Sequence, residues 1–211
     1  MSVKFEIRDY TGLMRKLDDM KKAPRKVLEA TTADAKKRVP PWIAAEVAKE
    51  YGVKKAEVNS GKLGKMKVKG ERIDGLTFEY TGRVLTPTHF GMTPKAPGKN
   101  AYTLKAQIIR GQKATLGKVK KLTKKQRREL GKNFRREGAR NSSHSPVMLM
   151  PTGSTYIPFQ RKSPRRSDVE AIKTLSLPQM VSGRASEGIT KAINEGLEKR
   201  LEHHMNRYMG K

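Results

Sequence analysis

The stretch Thr155–Ser182 reads TYIPFQRKSPRRSDVEAIKTLSLPQMVS and organises the rest of the chain around it. It opens with the alternating apolar pattern of a strand, passes through the basic turn SPRRSD and returns to the apolar VEAIKTL. It then reaches Leu177-Pro178-Gln179-Met180, after which no proline occurs from Ser182 to Met209. This order predicts strands that lead, through a proline-marked turn, into one long C-terminal helix with Ser182 as its N-cap.

Apolar residues recur along that last segment at steps of four and three, which is typical of one face of a helix. A helix of 28 residues would be about 42 Å long at 1.5 Å per residue. Gly188 and Gly196 are expected to weaken it by up to about 1 kcal/mol each relative to alanine. Because a helix this long needs packing partners along its length, we expect adjoining copies of the chain to cover part of the apolar stripe. The residues expected to pack there are Ile189, Ile193, Leu197 and Leu201.

The remainder of the chain predicts an α+β fold. VKFEIR alternates like a strand at the N-terminus, and Pro40-Pro41 is expected to break or kink a following helix. Strands are expected near 66–68 and 76–80, and a strand pair around Gly111. The fold class is therefore N-terminal helices, a mixed or antiparallel sheet, a long C-terminal helix and a basic extended insertion. Helices are expected at 11–22, 24–38 and 41–51. The parts of this single domain are 1–110, 111–145 and 146–211.

The charge of the chain is strongly unbalanced. It carries 47 Lys and Arg against 20 Asp and Glu in 211 residues, a formal net charge of +27. An excess of this size is typical of proteins with a polyanionic neighbour: nucleic acid, an acidic protein surface or anionic lipid.

The excess is densest from Arg110 to Arg140, where thirteen basic residues face two glutamates, a net of +11 over 31 residues. We expect an exposed helix near 123–137 in this segment. Blocks of like charge repel one another and are often solvated excursions, and that interpretation stands beside direct contact with DNA or another polyanion. The candidate contact residues are Lys118, Lys120, Lys121, Lys124, Lys125, Arg127, Arg128, Lys132, Arg135 and Arg136.

Patterns that carry chemistry are missing from the sequence. The chain has no cysteine, which excludes disulfides, cysteine nucleophiles and thiolate metal sites. The segment Gly111–Val119 resembles a phosphate-binding loop, but its glycines are one residue too far apart and Val119 stands where Ser or Thr would hold magnesium. No HExxH, GxSxG or carboxylate cluster occurs, so we expect no enzyme, no cofactor and no metal. No apolar run approaches the ~20 residues that span a bilayer, and we expect synthesis and assembly in the cytoplasm without a membrane partner.

The order of motifs resembles the phage minor tail protein Z family, the tail-completion proteins of long-tailed phages. A strand carrying Ile157-Pro158 precedes the turn Leu177-Pro178-Gln179-Met180, which precedes a long charged helix. Family members show an Arg-Ile-Pro-type strand and a Gly-Pro-Ser turn before Pro-Gln-Met. Here Thr155-Tyr156 replaces the basic residue, and Leu175-Ser176-Leu177 stands ahead of Pro178.

The resemblance implies a structural virion protein at the head-proximal end of the tail, in a ring of copies for which six is the expected number. Its partners would be the tube or tail terminator, with the tape-measure protein and phage DNA as further candidates. Pro158 would lie at a strand edge or bulge, and the hairpin would set the direction of the last helix. The alternative is a monomeric basic nucleic-acid-binding protein of ribosomal or nucleoid type, which would bind DNA or RNA with a steep salt dependence.

Overall fold

The computed structural model describes residues 2–6, 24–98, 100–119, 147–162 and 168–209, together with Lys125 and Arg128. Its contacts divide the chain into two compact units. Unit 1 combines Met1–Arg83 with Leu175–Lys211, and unit 2 runs from Val84 to Thr174. These boundaries differ from the expected segments 1–110, 111–145 and 146–211, because contacts between distant parts of the sequence assemble unit 1.

Within the residues that the structure describes, unit 1 contains one antiparallel sheet, four α-helices and the 3-10 helix Ile73–Gly75. The sheet has the order β1-β3-β2, so β3 is its central strand. Phe78 and Tyr80 of β3 are buried, as expected of alternating apolar positions on the inner face. The elements are β1 (Ser2–Glu6), α1 (Pro24–Glu50), α2 (Lys55–Asn59), β2 (Lys65–Lys69), β3 (Thr77–Thr81), α3 (Leu177–Ser182) and α4 (Ser186–Met209).

Of the two outcomes expected for Pro40-Pro41, a break or a kink, the break of the helix is wrong. α1 continues from Pro24 to Glu50 with both prolines inside it. Proline lacks an N–H, so the carbonyls of Lys36 and Lys37 lose their helical donors. Both lysines are exposed, which leaves those carbonyls open to solvation by water. The predicted helix at 11–22 lies outside the described residues.

The main packing contact of unit 1 joins α1 to α4. At Gly196 an added Cβ would lie 2.5 Å from two ring atoms of Trp42. At Gly188, by contrast, the atom nearest to an added Cβ belongs to the flexible carboxylate of Glu46, at 2.9 Å. The two glycines of α4 therefore differ in role. Gly196 allows the indole ring to lie directly against the backbone of α4.

Unit 2 contains a two-stranded and a three-stranded antiparallel sheet. β4 pairs with β5, and β7 is the central strand of the order β6-β7-β8. An added Cβ on Gly117 would lie 2.5 Å from a methyl group of Val147, so β5 passes close to β6. The strands are β4 (Tyr102–Ile109), β5 (Gln112–Val119), β6 (Val147–Thr152), β7 (Thr155–Arg161) and β8 (Val169–Ala171). The core of this unit contains Leu85, Phe90, Met92, Leu104, Ala106, Val147 and Leu149.

Glycines close two hairpins of unit 2. Gly111 has a φ of 83° between β4 and β5, and Gly153 a φ of 61° between β6 and β7. Such left-handed backbone favours glycine, because other residues meet a steric penalty there. The turn at Gly111 confirms the strand pair that the sequence predicts there.

The α+β class is confirmed: helices accompany antiparallel sheets, and a long helix ends the chain. That helix begins at Ser186 rather than near Ser182, because the separate helix α3 ends at Ser182. Within the described residues, none of the helices combines the length and apolar character that crossing a bilayer requires.

Candidate functional site: the lead-in motif and the basic surfaces

The Leu177-Pro178-Gln179-Met180 motif forms the first turns of α3 and fixes their geometry. Ser176 is the N-cap: its hydroxyl accepts a hydrogen bond from the N–H of Gln179 at 3.4 Å. In return, the backbone N–H of Ser176 donates to Oε1 of Gln179 at 2.8 Å. This reciprocal capping box satisfies two backbone donors at once. Gln179 is therefore a local structural residue.

The apolar members of the same motif lie in the core of unit 1. Leu177, Pro178 and Met180 are buried, and α3 contacts β1, β3, α1 and α4. Two glycines allow this approach: an added Cβ on Gly64 would lie 3.2 Å from Leu177, and one on Gly82 would lie 3.3 Å from Pro178. The motif thus packs the sheet of unit 1 against its helices.

The packing residues of α4 are covered within the chain itself. Ile189 and Leu201 are 0% exposed, Leu197 3% and Ile193 5%. α1 supplies the main contacts, for example Val27 with Leu201. The expectation that adjoining copies cover this stripe is therefore wrong, because α1 is long enough to cover it from one side of the same unit.

Pro158 lies on the central strand of its sheet, so its expected position at an edge or bulge is also wrong. It pairs with Leu149, and its carbonyl accepts from the N–H of Ile172 at 2.8 Å. The N–H and C=O of one strand residue face the same neighbour. A backbone N–H at position 158 would therefore point toward Ile172, the residue after the end of β8 at Ala171. Proline thus costs no hydrogen bond between the paired residues of β7 and β8.

The two halves of the motif pattern belong to different units. Ile157 and Pro158 lie on β7 in unit 2, whereas Leu177–Met180 belong to unit 1. Each half has a packing role in its own unit. That the hairpin sets the direction of the last helix stays a prediction, because the hairpin belongs to unit 2 and α4 to unit 1.

The candidate polyanion residues fall mostly outside the described part of the chain. Lys118, near the end of β5, is exposed, and Lys125 and Arg128 are helical and exposed. The helicity of these two agrees with the helix predicted near 123–137. Lys120, Lys121, Lys124, Arg127, Lys132, Arg135 and Arg136 lie outside the described residues.

A second basic surface, which the sequence analysis did not single out, lies on the sheet of unit 1. Lys65, Lys67 and Lys69 alternate along β2, and register places Lys67 and Lys4 on either side of Glu79. The signal was present in the sequence as KMKVK, a strand with a lysine at every second position. We call Lys4, Lys65, Lys67 and Lys69 the lysine face.

One polar cluster joins α1 to α4. Arg200 donates from Nε to Oδ2 of Asp34 at 2.5 Å, and Nε2 of His204 lies 3.0 Å from the same oxygen. Burial raises the pKa of Asp34, but the hydrogen bonds of His204 and Arg200 and the charges of Arg200 and Arg38 outweigh it and hold this pKa below its ordinary value of 3.8. Nδ1 of His204 is buried without a hydrogen-bond partner in the described part of the chain. The cluster ties two helices together with charge-assisted hydrogen bonds.

Groupings that could hold a metal ion do not occur among the described residues: no three His, Asp or Glu side chains converge. The described residues do include several exposed lysines, among them those of the lysine face. Comparison with known proteins adds no relative: no family model, no curated protein and no solved structure matches the chain.

Proposed function

We propose that this chain is a structural protein of a tailed phage, a tail-completion subunit that contacts a polyanion and acts without catalysis. The proposal draws on the order of the Ile157-Pro158 strand, the Leu177-Pro178-Gln179-Met180 lead-in and the final helix, which resembles the minor tail protein Z family. It takes from that resemblance a ring of six copies at the head-proximal end of the tail. The tube, the terminator, the tape-measure protein and DNA are the proposed partners.

The observation that carries the polyanion contact is the uneven distribution of charge. α4 is neutral, with four basic and four acidic residues between Ser186 and Met209. Unit 2 holds 21 Lys and Arg against 4 Asp and Glu, a net of +17, whereas unit 1 holds 26 against 16, a net of +10. The helix that packs the core is balanced, so the excess lies elsewhere and is available to an external anion.

Local pairing neutralises part of the charge of unit 2. Glu170 binds Lys162 and, at 2.7 Å, Lys173. Hydrogen bonds from Lys162 and Lys173, with the charges of both, lower the pKa of Glu170 to about 2. A carboxylate with this pKa stays ionised in any physiological buffer, and two carboxylates in the described part of unit 2 cannot offset its basic residues.

A second candidate function is a monomeric nucleic-acid-binding protein, and one observation favours it. The apolar stripe of α4 is already covered by α1, so this stripe gives no reason for self-association. In the tail-completion proposal, the ring must be held by other surfaces of the subunit.

Measurement of molar mass by light scattering separates the two candidates. The full chain is examined at several concentrations, alone and with duplex DNA. The tail-completion proposal predicts a closed oligomer, six copies being the expected number. A monomer under all conditions, with tight and salt-dependent DNA binding, would instead establish the second candidate.

A further inference from the structure

The lysine face of unit 1 has the arrangement of a flat cationic surface. Lys65, Lys67 and Lys69 are exposed on β2, and Lys4 is exposed on β1. β3 lies between these strands, so Lys4, Glu79 and Lys67 form one row across the sheet. Directly opposite residues of antiparallel strands share a face, and these lysines therefore project from the same side.

The opposite side of the sheet is occupied by the core. Phe78 is 0% and Tyr80 2% exposed, and alternation along β3 places both on the face away from Glu79. Burial raises the pKa of Tyr80, as expected for a phenol enclosed by apolar groups. The lysine face is thus the side of the sheet opposite the core contacts of Phe78 and Tyr80.

The lowered pKa of Glu79 reflects the positive charges around it on this face. Its carboxylate lies 2.9 Å from Nζ of Lys69. The hydrogen bond and charge of Lys69, with the charges of Lys4 and Lys67, outweigh burial and hold the pKa of Glu79 below its ordinary value. Lys69 is therefore partly neutralised. No ion pair joins Lys65 or Lys67 to another residue within the described ranges.

The spacing of the lysines suits an extended row of phosphates better than one small anion. Lysines two residues apart on a strand lie about 7 Å apart, and strands are about 4.8 Å apart, so the face measures about 14 by 10 Å. Side chains that project in parallel at such distances do not converge on a single ion. Duplex DNA carries one charge per about 1.7 Å of axis, so a duplex presents several phosphates across this area.

We propose that the lysine face binds the phosphate backbone of a nucleic acid, in addition to any contact that the basic segment 110–140 makes. The inference rests on the proposed polyanion-contacting function and adds a defined surface to it. Contacts of this kind read charge and not base sequence. The surface should accept nucleic acids of any sequence.

The test compares two triple variants of the full chain that remove equal charge. K4Q/K65Q/K67Q neutralises the three lysines of the face that form no ion pair within the described ranges, whereas K26Q/K36Q/K37Q neutralises three exposed lysines of α1. Binding to duplex DNA, to single-stranded DNA and to polyglutamate is measured from low to high salt. Each lost phosphate contact lowers the slope of log K against log salt by about 1. We expect the slope of log K against log salt to fall by about 3 in the face variant and by less than 1 in the α1 variant. Circular dichroism checks that both variants are folded.

Glu79→Gln is an independent variant for which the expected change in DNA affinity is opposite to that of the face variant. Removing the carboxylate frees Lys69, so affinity for DNA should rise, and a fall would overturn the proposal. Equal losses in the two triple variants would also overturn it, as would a loss on polyglutamate with none on DNA. If the wild-type chain binds neither nucleic acid nor polyglutamate, the polyanion function itself fails, and binding to polyglutamate alone would refute the lysine face as a nucleic-acid contact. If the wild type binds and the face variant is unchanged, only the lysine face is refuted.

Discussion

At the scale of single residues, the N-cap of α3 shows which features can be predicted from the sequence and which cannot. Ser176 and Ser182 both precede apolar helical segments, and the proline-free run directed the prediction to Ser182. The spacing of Ser176 and Gln179 is nevertheless that of a capping box, and Ser176 is the cap. Local spacing was sufficient to find it, whereas the burial of Leu177 and Met180 depends on contacts with distant parts of the chain.

Replacing Ser176 with alanine should therefore destabilise the protein by about 1 kcal/mol, because the N–H of Gln179 loses its acceptor. Ser182→Ala is the matched control: its hydroxyl donates to the carbonyl of Pro178 at 3.0 Å and caps no helix start. We expect the control to lie within about 0.5 kcal/mol of the wild type. Urea denaturation measures both, and a larger loss for Ser182→Ala would show that the cap is misassigned.

Asp34→Asn tests the polar cluster between α1 and α4 through pH. Since the folded-state pKa of Asp34 lies below 3.8, its carboxylate stabilises the fold above that pH, and the stabilisation is lost as pH falls through the lowered value. The side chain is 21% exposed, so we expect a loss of roughly 1–2 kcal/mol at neutral pH. The difference from wild type should shrink as the pH falls below the ordinary value.

Glu29→Gln is the control for this prediction, because it removes an ion pair of α1 whose partners are largely exposed, 91% for Arg25 and 63% for Glu29. Such pairs contribute little. The free energy of unfolding by urea, measured at several pH values, gives the comparison. Equal effects of Asp34→Asn and Glu29→Gln at neutral pH would contradict the role given to the cluster.

At the scale of elements, period-two alternation located β1 and β3 correctly, because alternate residues of a strand point to opposite faces of the sheet. The continuity of α1 through Pro40-Pro41 was not predictable from that pattern. Proline removes a donor and crowds the preceding turn, and the contacts of α1 with α4, which join segments distant in sequence, cannot be read from that pattern.

Gly196→Ala separates helix propensity from packing. Propensity alone predicts a gain of up to about 1 kcal/mol. The added methyl group would instead lie 2.5 Å from the rigid ring of Trp42, and overpacking of this kind costs about 1–3 kcal/mol. We expect net destabilisation in thermal and urea unfolding.

Gly188→Ala is the control on the same helix, since its added methyl group meets only the mobile end of Glu46. It should be neutral or stabilising by up to about 1 kcal/mol. A stabilised Gly196→Ala protein would show that Trp42 can move aside and that the close approach of α1 and α4 is not required.

At the scale of the whole molecule, the sequence predicted the class of the fold but not its division. Unit 1 joins the two ends of the chain, and no local pattern states which distant segments meet. The same limit explains the error about the α4 stripe: periodicity shows that a face must be covered, but not by which element. The basic composition and the absence of catalytic motifs can be read directly from the amino-acid sequence.

The proposal implies that a tailed phage or prophage encodes this chain, and imaging of the tails of such particles by electron cryomicroscopy tests the central claim most directly. The account predicts density for the chain at the head-proximal end of the tail, in a closed ring, with basic surfaces facing DNA or an acidic partner. Complete particles that lack the chain, by both imaging and mass spectrometry, would contradict it.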